Sequence, residues 1–295
     1  MRKRNATSTA LSIVVTAPRG IAECLIPNWL LSIADGERLE IVVADGRANS
    51  PNRSATGLRH LNFAGDNVYA LRRKGLALAR NEWVILLEDH SRPMPDFLEE
   101  FEKAIAAHPQ AVLISGASVN DTSTTPWSWS HFLFSFYRHW PPSCRKPRSA
   151  SISLLAIRRD VLATQELLQD GGFENRLLPR LAQSRNYLHC EYAIADHVQE
   201  NTLFNHCVEQ FHTARCSSAF ERQLGRSLMR SVLAEFLWFA CAPTVRPLRV
   251  LASIRGTPQF QIAHLPRLMV LGLAAGLGRL RGMWGDAGDS PMEVL

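Results

Sequence analysis

The first half of the chain alternates short aliphatic runs with segments in which apolar residues recur every three or four positions. The aliphatic runs are "LSIVVTA" (11–17), "EIVVADG" (40–46), "WVILLED" (83–89) and "AVLISGAS" (111–118). Helical patterns cover residues 24–34, 67–81 and 96–108. Aliphatic strands separated by helices are typical of a mostly parallel sheet covered on both faces. The pattern therefore predicts an open α/β sheet, which binds ligands at the carboxyl ends of its strands.

The pattern changes in the second half of the chain. Residues 119–150 are rich in proline and aromatic residues, and we interpret them as a long loop or lid. A short helix and strand passage follows over about 151–200, and the chain is helical again from about 222. We therefore predict two parts, an α/β domain over 1–221 and a helical region over 222–295.

Composition indicates a folded protein in a reducing compartment. Hydrophobic residues make up 46% of the chain and charged residues 20%, which is ordinary for a globular protein. The six cysteines form no CxxC pair, so neither a zinc ribbon nor a disulfide framework is indicated. The apolar run after the basic start has only about seven residues, too few for a signal peptide. We expect a first strand there and a cytoplasmic location.

The net charge of +6 is unevenly distributed. Between residues 222 and 281 there are nine arginines and one acid, Glu235. The apolar run 232–245 is broken by Glu235 and Pro243, and the run 268–278 is short beside the about 20 residues of a membrane span. Apolar helices flanked by arginines suit contact with anionic headgroups, whereas packing on the α/β domain or on a second copy is the alternative. We expect no nucleic-acid partner, and the oligomeric state stays open.

Ionisable residues follow two of the predicted strands. Asp45 ends one strand, and Glu88, Asp89 and His90 end another. Such a group suits Mg²⁺ or Mn²⁺, which leave coordination positions for phosphate oxygens. The alternatives are that these acids cap a helix or solvate a turn, and that Asp45 before Gly46 is a turn former. Spacing alone leaves these alternatives open.

The segment "LLEDHSRPMPDFLEEF" (86–101) resembles the metal-binding segment of the GT-A glycosyltransferases of the large inverting family 2. In that family an Asp-x-Asp triplet ends a strand, and Glu88 and His90 stand where its two outer aspartates usually stand. The segments "LSIVVTAPRG", "EIVVADG" and "GLALARNEWVILLEDH" are similar to the first strand with its nucleotide loop, the second strand, and the helix leading into the metal strand. The resemblance implies a GT-A domain over 1–221 with a C-terminal helical extension.

The resemblance also implies roles for individual residues. It places a nucleoside diphosphate sugar against the nucleotide-binding residues Ala17, Pro18, Arg19, Asp45, Gly75 and Asp89. It assigns Mn²⁺ or Mg²⁺ to the metal ligands Glu88, Asp89, His90 and His197. The segment from "GGFENRLLPRL" onward is similar to the segment that carries the general base, which makes Glu174 the implied base.

Other residues are candidates for contact with the diphosphate or the acceptor. His212 and Arg215 follow the base segment, where a basic residue approaches the diphosphate in that family. Trp127, Trp129 and Trp140 offer aromatic faces to a sugar ring, although packing under a lid explains them equally well. The implied reaction is inverting transfer to a hydroxyl of a saccharide, lipid-linked or other acceptor, in glycan or cell-envelope polysaccharide synthesis at the inner face of the plasma membrane.

Two other functions compete with this one. The Glu88 and His90 departures fit a non-catalytic relative that serves as a membrane-associated interaction module. An oxidoreductase of the Rossmann type is disfavoured because the first strand leads into "TAPRGIAE" and lacks G-x-G-x-x-G.

Overall fold

A nine-stranded sheet organises the part of the chain that the structure describes. This computed structural model describes residues 9–25, 30, 33–35, 37–48, 53–121, 125–142, 147, 149–162, 171–198, 201–223, 228–257 and 261–293. The strands are β1 (Leu11–Ala17), β2 (Leu39–Asp45), β3 (Arg53–Ala55), β4 (Leu58–Asn62), β5 (Trp83–Glu88), β6 (Ser91–Pro93), β7 (Leu113–Val119), β8 (Leu154–Arg158) and β9 (Tyr187–His197). Their order across the sheet is β3-β4-β2-β1-β5-β8-β7-β9-β6.

The strands β4, β2, β1 and β5 run parallel, as the aliphatic pattern predicts. Their register sets Ala17 beside Asp45 and Thr16 beside Glu88, so the carboxyl ends of three strands meet at one edge. The strand β8 lies antiparallel between β5 and β7, and the short strands β3 and β6 are antiparallel additions at the two sides of the sheet. The predicted α/β sheet is confirmed, with mixed pairing.

Helices cover both faces of the sheet. The predicted helices over 67–81 and 96–108 are confirmed as α1 (Val68–Leu78) and α2 (Phe97–Ala107). Along β1, Ile13 and Val15 belong to the cluster that α2 covers, and Val14 belongs to the cluster on the other face. Both faces are buried, which explains why the strands are continuously aliphatic. The helix predicted over 24–34 lies largely outside the described residues.

The prediction of a loop or lid over 119–150 is wrong for its central part. The helix α3 (Pro126–Phe136) forms there. The side chain of Thr125 accepts a hydrogen bond from the Ser128 backbone N–H, and Pro126 occupies the first turn, where a missing N–H is harmless. Phe132 and Phe134 pack with the C-terminal helices. Burial of this aromatic face therefore stabilises a helix where the proline-rich sequence favours a loop.

The rest of the described chain is largely helical. A π-helical turn (Phe173–Leu177) precedes α4 (Leu178–Ala182), and after β9 the chain forms α5 (Leu203–Gln223), α6 (Leu228–Cys241), α7 (Val245–Ser253), α8 (His264–Trp284) and α9 (Ser290–Glu293). Gly278 and Gly282 of α8 lie against the backbone of α5, where a Cβ atom would collide with carbonyl groups. Within the described ranges, no helix is both long and apolar enough to span a membrane. The division of the chain at 222, close to the end of α5, stays a prediction.

Candidate active site

Two strand ends bring an acid and two histidines together. Glu88 ends β5 and His90 follows two residues later, while His197 ends β9. The strands β6 and β9 pair antiparallel, with Ser91 opposite His197. This pairing carries His197 to the chain segment that holds Glu88 and His90.

The three side chains converge on one point. The Nε2 atoms of His90 and His197 lie 2.9 Å apart. The Glu88 Oε2 atom is 3.7 Å from the first and 3.5 Å from the second. A carboxylate and two imidazoles are acceptable ligands for a divalent cation. Of the two ions that the sequence predicts at this place, the two imidazoles favour Mn²⁺ over Mg²⁺, which prefers oxygen ligands.

The side chains of Glu88, His90 and His197 shift one another's pKa values. Burial alone would raise the pKa of Glu88. The contact with His197 and the charges of His90 and Arg72 instead lower this pKa to about 2. Burial tends to lower the pKa of His90, whereas the hydrogen bond to Asp89 and the Glu88 charge raise it overall. Burial and the charge of His90 lower the pKa of His197. A neutral His197 can thus accept a hydrogen bond from His90.

Asp89 lies behind this group and outside it. Its Oδ1 atom is 2.8 Å from Nδ1 of His90, and its Oδ2 atom is 3.7 Å from Nε of Arg19. A carboxylate on the far nitrogen of a histidine fixes the orientation of the ring. The predicted role of Asp89 as a metal ligand stays a prediction, while its observed contact orients His90.

Arg72 joins two carboxylates at the edge of the site. Its Nη1 atom donates a short hydrogen bond to Glu174 Oε1, and its Nη2 atom donates to Glu88 Oε1 at 3.4 Å. The Arg72 side chain is 4% exposed. Glu174 is held in the π-helical turn and its side chain is 9% exposed. The arginine therefore connects the predicted base to the predicted metal group.

These residues line a cavity of about 750 Å³. The sheet contributes Glu88, His90 and His197, and the helices contribute Arg72, His131, Glu174, Glu209 and Arg246. Basic and acidic side chains therefore both lie in the wall of the cavity.

The predicted nucleotide-binding residues lie at the same sheet edge. Gly20 has φ of 99°, and its N–H donates to the Ala17 carbonyl at 3.1 Å, which closes the turn through Pro18 and Arg19. Asp45 is fully buried and accepts hydrogen bonds from the His60 ring at 2.7 Å, from Ile21 N at 3.2 Å and from Arg47 N at 2.8 Å. Asp45 thus joins the loops after β1 and β2, and its contact with a nucleoside stays a prediction.

Other predicted residues are not brought to the cavity. Gly75 lets α1 pack closely against Val14 of β1. Trp127 stacks with Arg267, and Trp129 packs edge-on against Trp140. His212 bonds to Ser290 Oγ at 2.8 Å, and Arg215 donates to the Asp286 carbonyl at 3.1 Å. The structure gives each of these residues a packing or structural contact, and their binding roles stay predictions.

Sequence reasoning missed Arg72, His131, Glu209 and Arg246. Arg72 had an available signal, because Val68, Leu71, Arg72 and Gly75 follow the spacing of one helix face. That face is the one buried on the sheet. The other three residues stand on separate helices and belong to no local motif.

Comparison with known proteins gives one match in sequence and several in structure. The model described as glycosyl transferase family 2 matches residues 12–164, more than half of the chain. No curated protein sequence matches significantly. A mannosyltransferase from Pyrobaculum calidifontis, solved with GDP-Man and Mn²⁺, superposes with a TM-score of 0.56 at 13% identity and covers 93% of this chain and 88% of that chain. At this identity the likeness shows the fold alone.

Two further solved structures are similar at lower scores. Glucosyl-3-phosphoglycerate synthase from Mycobacterium tuberculosis, with Mn²⁺, UDP and glucosyl-3-phosphoglycerate, has a TM-score of 0.41 at 15% identity, with 68% of this chain and 80% of that chain covered. Residues 1–349 of S. aureus TarS have a TM-score of 0.43 at 14% identity, with 88% of this chain and 77% of that chain covered.

Proposed function

Because the chain belongs to glycosyl transferase family 2 and is a glycosyltransferase of the GT-A fold, we propose that it transfers a sugar from a nucleoside diphosphate sugar to an acceptor hydroxyl with inversion, using Mn²⁺ or Mg²⁺. The observation that carries the proposal is the convergence of Glu88, His90 and His197 at the carboxyl edge of the sheet. Although Glu88 and His90 replace the usual aspartates of Asp-x-Asp, they and His197 still offer three donor groups within reach of one cation.

The donor would lie across the strand ends. We assign its nucleoside to the turn at 17–20 and the loop after Asp45, and its diphosphate to the Glu88, His90 and His197 group. When bound there, a divalent cation neutralises negative charge on the leaving diphosphate. Asp89 keeps the His90 ring in place. Arg19, 40% exposed and close to Asp89, adds positive charge on the nucleoside side.

Glu174 is the residue we assign as general base. An attacking hydroxyl must lose its proton, so a carboxylate is required on the side of the sugar opposite the leaving group. Arg72 holds Oε1 of Glu174, and we assign Oε2 to the acceptor hydroxyl. Both residues line the cavity that contains the Glu88 group. Single displacement in this arrangement inverts the anomeric carbon.

A thermal-shift screen of nucleoside diphosphates and nucleoside diphosphate sugars tests this function. With Mn²⁺, the matching nucleotide at about 100 times its Kd should stabilise the chain by about 2.7 kcal/mol. The effect should disappear with a chelator, and the NMR spectrum of the product should show the opposite anomer. His108→Ala, at an exposed histidine that ends α2, is the matched control and should respond like wild type. The proposal fails if no nucleotide stabilises the chain more with Mn²⁺ than with chelator.

The C-terminal helices support a second part of the proposal, contact with an anionic membrane surface. Large apolar side chains are exposed along α6 and α8, at Leu233, Phe236, Leu237, Met269, Val270, Leu273 and Leu277. Their spacing of three and four residues puts them in stripes along each helix. Arg249 on α7 and Arg267 in the first turn of α8 add positive charge to this region, and cations favour anionic headgroups. We propose that the acceptor, a saccharide, lipid-linked or other hydroxyl compound of glycan or cell-envelope polysaccharide synthesis, is reached at the cytoplasmic membrane face.

Vesicle sedimentation tests the membrane contact. Wild type should sediment with vesicles that contain phosphatidylglycerol and stay in solution with phosphatidylcholine alone. The double variant Leu237→Glu, Leu273→Glu should lose binding. Tyr192→Glu is the matched control, since Tyr192 is 65% exposed on β9, outside these helices. Equal sedimentation of the double variant and wild type would refute the contact and leave the catalytic proposal unaffected.

A further inference from the structure

A second group of metal-ligating side chains lies where α3 packs on α5. It consists of His131 from α3 and of His206 and Glu209 from α5. His206 and Glu209 are three residues apart, so one face of α5 presents both. The two histidines are 2% and 0% exposed, and the Glu209 side chain is 16% exposed. The group shares no residue with Glu88, His90 and His197.

The donor atoms are already close to the separations of a metal site. Glu209 Oε1 lies 3.7 Å from His131 Nε2, and Glu209 Oε2 lies 4.0 Å from His206 Nδ1. With metal–ligand bonds of about 2.1 Å, the edges of a tetrahedral site are about 3.4 Å long. The two imidazole rings are stacked 4.2 Å apart between centroids at 13°. Because the rings are nearly parallel, one imidazole must rotate before both lone pairs point at one ion, while all three donor atoms already lie within 4.8 Å of one another.

The His206 ring lacks hydrogen-bond partners among the residues that the structure describes. Both of its ring nitrogens are buried and make no hydrogen bond. A buried polar atom without a partner destabilises a fold, and a bound ion is one of the arrangements that supply such a partner. Neutral imidazole, the form that binds metals, has a lone pair on one of these two nitrogens.

The lone pair of His131 on the side of Glu209 is engaged in a hydrogen bond, which a metal ion would replace. The Gln210 amide nitrogen donates to His131 Nε2 at 2.8 Å and to Ser135 Oγ at 3.2 Å. An Nε2 atom that accepts a hydrogen bond carries a lone pair, so the proton is on Nδ1. The same Nε2 atom is the one that faces Glu209.

We propose that His131, His206 and Glu209 form a second divalent-metal site, which takes Zn²⁺ and links α3 to α5. Two imidazoles and one carboxylate are a common zinc donor set that leaves a fourth position for water. His131 and Glu209 line the same cavity as the Glu88 group. The ion would therefore hold α3 against α5 at the cavity wall.

Metal counting on the full-length chain tests this site with Zn²⁺ alone as the probe. Protein stripped with chelator is loaded, desalted and measured by elemental analysis, and affinities come from competition with a chromophoric chelator. Wild type should hold two equivalents. Glu209→Gln and His206→Ala should each hold one, bound at the Glu88 group, and His197→Ala should also hold one. The affinity of the second equivalent should fall at least tenfold in Glu209→Gln.

A control variant and a spectroscopic measurement separate loss of the second site from loss of the Glu88 site. Glu221→Gln changes another α5 carboxylate, one that pairs with Arg279, and should keep two equivalents. Co²⁺ loaded into His197→Ala should give the visible absorption of a four-coordinate ion. Adding Glu209→Gln to this variant should abolish that absorption. If His206→Ala fails to fold, the nearly isosteric Glu209→Gln still decides. Retention of wild-type stoichiometry by Glu209→Gln, or a single wild-type equivalent that His197→Ala removes, overturns the site.

Discussion

The Nε2 atoms of His90 and His197 lie 2.9 Å apart although the residues are 107 positions apart in the chain. Their contact depends on the antiparallel pairing of the short strand β6 with the end of β9. Two ring nitrogens at this distance share one proton in the absence of a cation, and a cation would replace that proton. Substitution of either histidine should therefore weaken cation binding at this site.

The first prediction concerns His197. His197→Ala removes one of the three converging donors, so the affinity for Mn²⁺ in the presence of nucleoside diphosphate should fall by about 100-fold. Loss of an outer-shell partner alone already costs about 10- to 100-fold. Isothermal titration calorimetry measures the change. An affinity within threefold of wild type would remove His197 from the site.

The second prediction concerns catalysis by Glu174. Glu174→Gln keeps the size of the side chain and its contact with Arg72 but cannot accept a proton. We expect kcat to fall by about 10²–10⁴ with the donor Kd unchanged, since general base catalysis contributes about that factor. Single-turnover kinetics with saturating donor separates the two quantities. A loss below tenfold would assign the base to another residue.

The third prediction concerns the role of Arg72 in stability. Arg72→Met leaves Glu88 and Glu174 without their shared cation, and breaking such a buried pair costs about 3–5 kcal/mol. The double variant Arg72→Met, Glu174→Gln should lose less than the sum of the single losses, with a coupling of about 1–3 kcal/mol. Urea unfolding of wild type, the two single variants and the double variant gives the four free energies that this double-mutant cycle needs.

An exposed arginine near the end of the same helix is the control for this cycle. Arg80→Met should change the free energy of unfolding by less than about 0.5 kcal/mol. Strict additivity of the two single losses would show that Arg72 and Glu174 act independently.

The fourth prediction concerns pH and His139. Its ring Nε2–H donates to the Ser149 carbonyl at 2.8 Å, and its Nδ1 atom is buried without a partner. Burial, with the charges of His189 and Arg138, lowers the pKa of His139 from 6.5 to about 3. Below pH 6.5 the unfolded chain therefore binds a proton that the folded chain does not, and stability falls as the pH falls.

The size of this effect follows from the shift. Between pH 6.5 and pH 5, His139 should reduce the free energy of unfolding by about 2 kcal/mol, because each pH unit contributes about 1.4 kcal/mol. In His139→Gln that contribution is absent. The difference in stability between wild type and variant, measured by urea unfolding, should therefore change by about 2 kcal/mol between pH 7.5 and pH 5. The same difference at both pH values would contradict the prediction.

The fifth prediction concerns the acid within the basic C-terminal region. Glu235 is 2% exposed and accepts hydrogen bonds from two nitrogens of Arg279, while Glu221 meets the same arginine at 3.2 Å from a half-buried position. Glu235→Ala should destabilise the chain by about 3–5 kcal/mol and Glu221→Ala by about 1 kcal/mol or less. Thermal and urea unfolding compare the two variants. Equal losses would mean that burial does not set the strength of this pair.

The local pattern of apolar residues was sufficient to predict the strands and helices that pack directly in the α/β sheet. The strands at 11–17 and 83–88 and the helix at 97–107 are confirmed close to their predicted bounds. The strands are apolar over nearly their whole length, and the helix buries residues four positions apart. Residues 126–136 were misinterpreted because the whole segment 119–150 is rich in proline and aromatic residues, and the helix itself begins with Pro126. Only packing against α8 shows that Phe132 and Phe134 belong to a helix.

The sequence by itself determined the α/β sheet, the family, and the placement of Glu88 and His90 at a strand end, since each is encoded in consecutive residues. Tertiary structure alone decided that His197 faces His90, that Arg72 joins Glu88 to Glu174, and that His131 meets His206 and Glu209. These contacts link residues from separate elements. Strand pairing and helix packing bring such residues together, and no periodicity in a single segment records which distant side chain will be its neighbour.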